Sequence, residues 1–143
     1  MGDLPRHSVS VTGIVVRNDG RVLAIQRQDD GWVPPGGVLE LAETPAEGVA
    51  REVLEETGIK VQADRLTDVY KNMRLGVVTL AFRCSILDGQ GQEGETDEAK
   101  RVAWLTIEEA ARRMPEARAV RVVDALAGTD SPAVRVHDGT HLL

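Results

Sequence analysis

Three carboxylates, Glu52, Glu55 and Glu56, recur three and four residues apart within the stretch GVLELAETPAEGVAREVLEETGI (37–59), and Arg51 stands beside them. On a helix that spacing puts all three on one face. Like charges so placed destabilise a helix unless something neutralises them. One reading is a solvated acidic face in which Arg51 pairs with Glu55 one turn on. The other is a cation site. Mg²⁺ or Mn²⁺ takes carboxylate oxygens, and Mg²⁺ keeps several waters and often bridges to substrate phosphates. The stretch fixes Gly37, Glu43, Arg51, Glu52, Glu55, Glu56 and Gly58 at set gaps. At about 7% usage each, such a coincidence arises on the order of once in 10^8 starts.

Local signals say what holds these residues. Thr44 is a good N-cap, Pro45 suits the first helical position, and Glu47 completes a capping box. Gly58 supplies a left-handed stop, so the helix is expected over Pro45 to Thr57. Ala46, Val49, Ala50, Val53 and Leu54 fall three and four apart and should form one buried stripe. The agreement of cap, stop and spacing favours the metal reading.

The stretch resembles the Nudix box, G-x5-E-x7-R-E-U-x-E-E-x-G-U with U aliphatic, at every specified position. The preceding Trp32-Val33-Pro34-Pro35-Gly36-Gly37 is similar to that family's W-x-x-P-G-G entry, with Pro34 and Ala42 departing from the commonest residues. The chain is thereby identified as resembling the Nudix (MutT-like) hydrolase family. That resemblance implies an α/β fold, an α/β/α sandwich with a mixed β-sheet and a catalytic loop-helix-loop. It implies Mg²⁺ or Mn²⁺ as cofactor. The ligands it implies are Glu52, Glu55, Glu56, the main chain of Gly37 and a further acid from the 93–98 region, with Glu98 favoured. Glu52 is the first choice for general base, with Arg51 orienting carboxylates and Glu56 completing the catalytic group. Glu43 is expected to be structural.

The whole chain sets bounds. Its 143 residues suit one domain, 1–143, with a loose tail from about residue 128. A net charge of −6 disfavours a nucleic-acid polymer as partner but permits a small polyphosphate bridged by metal. The lone Cys84 reads as a small buried hydrophobe and points to a reducing compartment. No apolar run spans a membrane and no secretory leader is evident, so a cytoplasmic location is expected. A homodimer is left open.

Along the chain, residues 8 to 17 and 21 to 27 read as strands of a hairpin around Asn18-Asp19-Gly20. Residues 60 to 71, 76 to 87 and 101 to 105 read as further strands, and 32 to 37 and 88 to 97 as loops. Helices are expected from Thr106 to about Met114 and from Pro115 to about Ala127. Trp32 and Trp104 are assigned to the core. Arg27, Tyr70 and Lys71 are the candidate substrate contacts, while His7, His137 and His141 lack ligand spacing and are read as incidental.

The expected activity is hydrolysis of a nucleoside diphosphate linked to another moiety, by water attack at phosphorus. Nucleoside triphosphates, nucleotide sugars and ADP-ribose all remain open. The alternative is a non-catalytic, nucleotide-binding regulatory module on the same fold.

Overall fold

The computed structural model describes residues 3–88 and 101–143. The chain runs β1 (Ser8–Val15), β2 (Val22–Gln26), β3 (Trp32–Val33), β4 (Gly36–Val38), α1 (Pro45–Thr57), β5 (Lys60–Asn72), β6 (Val77–Asp88), β7 (Arg101–Leu105), α2 (Ile107–Arg113), α3 (Glu116–Leu126) and β8 (Ala133–His137). A five-stranded sheet has the order β4-β1-β6-β5-β8, and a three-stranded sheet the order β3-β2-β7. The larger sheet is mixed: β1 runs parallel to β6 and β5 to β8, while β4 and β1, and β5 and β6, are antiparallel.

Helix α1 takes the bounds its caps dictate. Thr44 N–H donates to Glu47 Oε1 (2.9 Å), Glu47 N–H donates to Thr44 Oγ1 (3.2 Å), and Gly58 closes the helix at φ 76°. Its buried residues are Gly48, Val49, Val53 and Thr57. The expected stripe is thus narrower: Ala46 is exposed and Leu54 is 42% exposed. Val49, Val53 and Thr57 lie four apart in one row, and that row meets the sheet where it lacks a side chain. A Cβ on Gly13 would stand 2.9 Å from Val53 and 3.2 Å from Val49.

Three other expectations are corrected. The hairpin around Asn18-Asp19-Gly20 is confined to its turn, where Arg17 N–H donates to the Arg21 carbonyl (2.8 Å) and Val16 bridges Val22; β1 and β2 themselves belong to different sheets. β2 is apolar but for Gln26, and β1 is buried from Val11 to Val15; each has strand neighbours on both sides, β4 and β6 for β1, β3 and β7 for β2. The Trp-Pro-Pro-Gly-Gly stretch contains two short strands, β3 and β4. The tail is not loose, because β8 pairs with β5 over Asp68 to Asn72.

The two faces of the larger sheet differ. Val11, Val15 and Cys84 pack with Val49 and Val53 of α1 in one core. Burial pushes the Cys84 thiol up to about 12, the behaviour of an inert core residue. Strand alternation puts Ser10, Thr12, Thr79, Tyr70, Asn72 and His137 on the opposite face, toward α3. There Arg121 Nη1 donates to Thr12 Oγ1 (2.9 Å) and Tyr70 Oη donates to Asp124 Oδ2 (2.8 Å). Among the described residues no helix is long and apolar enough to cross a membrane.

Candidate active site

Arg51 organises the acidic edge. Its Nε and Nη2 grip Glu43 at 2.9 and 2.6 Å, Nη1 reaches Glu52 Oε1 (3.0 Å) and Glu55 Oε2 (3.2 Å), and Nη2 also donates to the Val38 carbonyl (3.3 Å). One rigid, forked cation thereby fixes carboxylates from the loop and from α1. The guanidinium holds Glu43 down to about 2, helped by the Glu40 N–H that donates to it. The Glu43 carboxylate in turn raises the pKa of Arg51. The geometry therefore differs from a simple Arg51–Glu55 pair.

The β4 loop presses its main chain against the same carboxylates. Gly36 N–H donates to Glu56 Oε1 at 2.8 Å. A Cβ on Gly37 would lie 2.5 Å from Glu52 Oε1, and one on Gly36 would strike the Val11 carbonyl at 2.2 Å. Gly36 requires glycine because it meets main chain, whereas a side chain at Gly37 would displace the Glu52 carboxylate. The donors gathered here are all oxygen, as a hard divalent cation prefers. Among the described residues no three His, Cys, Asp or Glu side chains converge as a ready ligand set. Arg51 holds Glu52 and Glu55 in its own hydrogen bonds instead. Glu98, with Glu93, Glu95 and Asp97, lies outside the described residues.

On the other side of Gly36 and Gly37 opens a cavity of about 220 Å³. Its lining includes Ser10, Thr12, Asn72, Thr79, Arg27, Arg118, Arg121 and His137. Of the expected substrate contacts, Arg27 alone lines it. Tyr70 is fully buried, with its ring 5.3 Å beneath the Arg121 guanidinium and its hydroxyl on Asp124. It supports the wall and does not form its surface. Lys71 follows Tyr70 and precedes Asn72 on β5, so it faces away from the cavity.

Arg118, Arg121 and His137 were not singled out as site residues by sequence. Arg121 is 5% exposed and His137 1%. Burial, then the charge of Arg118, lowers Arg121 to about 9, and burial followed by the charge of Arg27 lowers Arg118. Burial and the two arginines also lower His137, favouring its neutral form. Gly139 N–H donates to His137 Nδ1 (2.9 Å), which leaves the neutral ring's proton on Nε2. One usable signal was the alternation of Ala133 to His137, which puts Arg135 and His137 on one strand face.

A NUDIX domain family model matches residues 6–126. A MutT-like protein of Streptomyces ambofaciens is 57% identical over 140 residues, covering 97% of this chain and 89% of that protein. An ADP-ribose pyrophosphatase of Methanocaldococcus jannaschii is 31% identical over 108 residues, 70% of this chain and 62% of that one. The chain therefore spans less than two thirds of that relative's length. The crystal structure of a NUDIX hydrolase from Nitrosomonas europaea superposes with a TM-score of 0.78 at 22% identity, covering 94% of this chain and 82% of that one.

Proposed function

This chain belongs to the Nudix family, and from that premise we propose that it is a divalent-metal-dependent pyrophosphohydrolase acting on a nucleoside diphosphate linked to a second moiety. The observation that carries the reading is a juxtaposition. Gly36 and Gly37 touch the Glu52 and Glu56 carboxylates while lining a cavity that holds Arg27, Arg118 and Arg121. A substrate spanning that loop meets a cation-attracting edge at one end and a cationic wall at the other. An ADP-ribose pyrophosphatase among the relatives makes ADP-ribose the first compound to test.

In this reading Glu52, Glu55 and Glu56, with the main chain at Gly37, would hold Mg²⁺ or Mn²⁺, Glu52 and Glu55 turning carboxylate oxygens to it from their Arg51 hydrogen bonds. When bound, such a cation offsets charge on the phosphate oxygens and lowers the pKa of a coordinated water. A Glu52 carboxylate oxygen accepts the proton of the attacking water, a role that contributes about 10²–10⁴-fold. Arg51 acts through the carboxylates: four of its hydrogen bonds hold Glu43, Glu52 and Glu55 in register, and a fifth goes to the Val38 carbonyl. Gly36 N–H fixes Glu56. The cytoplasm, where nucleotides and Mg²⁺ coexist, is the compartment this reading implies.

The test is mass-spectrometric product analysis of a pooled nucleotide panel with protein and Mg²⁺, against chelator and against Glu52→Gln. Cleavage that needs both metal and glutamate is expected, and product masses identify the bond broken. Equal cleavage by wild type and Glu52→Gln would sink the assignment of the base.

A further inference from the structure

The cavity beneath α3 has an unusual electrostatic composition. Arg118 Nη1, Arg121 Nε and His137 Nε2 are all buried and hydrogen-bond to nothing among the described residues. All three are donors, given the tautomer that the Gly139 N–H imposes on His137. The charges acting on them are mainly of one sign: Arg27 on Arg118, Arg118 on Arg121, and both Arg121 and Arg118 on His137, where Asp138 opposes them more weakly. Among the described residues no carboxylate forms an ion pair with Arg27, Arg118 or Arg121. Contrast Arg135, two residues before His137, whose guanidinium forks onto Asp124 at 2.7 and 2.8 Å.

A structural role does not account for this arrangement. Burying a guanidinium costs several kcal/mol unless it is paired and hydrogen-bonded. Arg121 recovers part of that through Thr12 and the Tyr70 ring, yet both contacts also fix its direction. A neutral acceptor such as a base carbonyl would satisfy donors but leave like charges together. An oxyanion satisfies both. At about 220 Å³ the cavity is smaller than the roughly 300–1,000 Å³ of a typical small-molecule site, so it takes one substituent and not a whole nucleotide.

We propose that Arg118, Arg121 and His137 form an oxyanion subsite that receives a phosphate-type group, separate from the phosphates held at the acidic edge. Resting on the pyrophosphohydrolase reading, this narrows the substrate to a nucleotide derivative with an additional anionic group, or makes free phosphate a ligand of the same cavity. Asn72 and the mutually hydrogen-bonded hydroxyls of Ser10 and Thr79 add neutral polar groups to the lining. Arg27, also in the lining, adds charge at the approach.

The test uses inorganic phosphate as probe, by calorimetry and thermal shift, on the full chain in chelator with chloride at matched ionic strength. Chelator removes the cation site from the measurement, so the outcome is independent of turnover, and Glu52→Gln should respond like wild type. Saturable binding is expected in wild type, weakened at least about tenfold in Arg121→Met, as for losing a hydrogen bond to a charged group. Arg118→Met provides the same reading should Arg121→Met not fold. No saturable binding in wild type, or equal binding in wild type and Arg118→Met, overturns the proposal. During turnover, phosphate that raises KM alone identifies the site as the substrate's own, whereas phosphate that changes kcat at constant KM identifies a free-anion ligand. If the enzymatic reading fails while phosphate binding persists, the subsite stands without it.

Discussion

The acidic edge and the basic cavity share the Gly36-Gly37 loop but solve opposite problems. At the edge, Arg51 is shared among Glu43, Glu52 and Glu55, so the cation is fully paired within a short stretch of chain and the excess charge is negative. In the cavity, Arg118 and Arg121 of α3 meet Arg27 from a distant segment, and no carboxylate pairs with them among the described residues. One region is an acidic unit, encoded locally and braced by its own arginine. The other is an uncompensated charge assembled by tertiary structure. The difference indicates that the edge is organised before any ligand arrives, while the cavity obtains its counter-charge from whatever it binds.

Changes that break this contrast should have graded effects. Glu52→Gln should leave the fold intact and lower kcat by about 10²–10⁴-fold, measured with the substrate the panel identifies; a loss below tenfold would remove Glu52 from the reaction. Gly37→Val should come next. Its side chain would occupy the space of the Glu52 carboxylate, so kcat should drop by about tenfold or more while circular dichroism is unchanged. Normal activity would show that close approach of the main chain is dispensable.

The third pair of variants carries opposite signs. Arg51→Met strands Glu43, Glu52 and Glu55 together and should lower Tm by about 5 °C. Arg121→Met removes an unpaired buried cation and should leave Tm at or above the wild-type value in phosphate-free buffer. Equal losses in both would erase the distinction between compensated and uncompensated charge.

The smallest effect is on pH dependence. His137 is depressed below its ordinary 6.5 by burial and then by Arg121 and Arg118. Below pH 6.5 the unfolded chain takes up a proton that the folded chain resists. Stability from this group is therefore full above that pH and falls as pH drops toward the folded value, by up to about 1.4 kcal/mol per pH unit. Tm measured from pH 8 down to 5 should fall less steeply in His137→Gln; identical slopes would refute the account.

The same contrast explains what was legible in sequence. Helix α1, its two caps and the order of carboxylates follow from neighbours within a few residues, and those signals survive any tertiary context. The split of β1 and β2 between sheets was not legible, because a turn signal reports chain reversal and not pairing. Nor was β8. Its parallel partner, β5, lies some 65 residues earlier (Asp68 with Ala133), and no local pattern encodes that choice. The cavity's residues were missed for the same reason: Arg118, Arg121 and His137 acquire meaning only once β8 joins the sheet edge and α3 packs on its face.

Because His137 belongs to β8, the order of synthesis separates the two halves of the site in time. Residues 37–58, with cap, arginine and glutamates, leave the ribosome roughly eighty residues before His137, several seconds at ordinary elongation rates of about 5–20 residues per second. A nascent chain can form the acidic helix in that interval, but the oxyanion wall is incomplete until β8 has been made and paired. Any interruption short of residue 133 would release a polypeptide with its glutamates in place, one edge of β5 bare, and an oxyanion wall lacking His137.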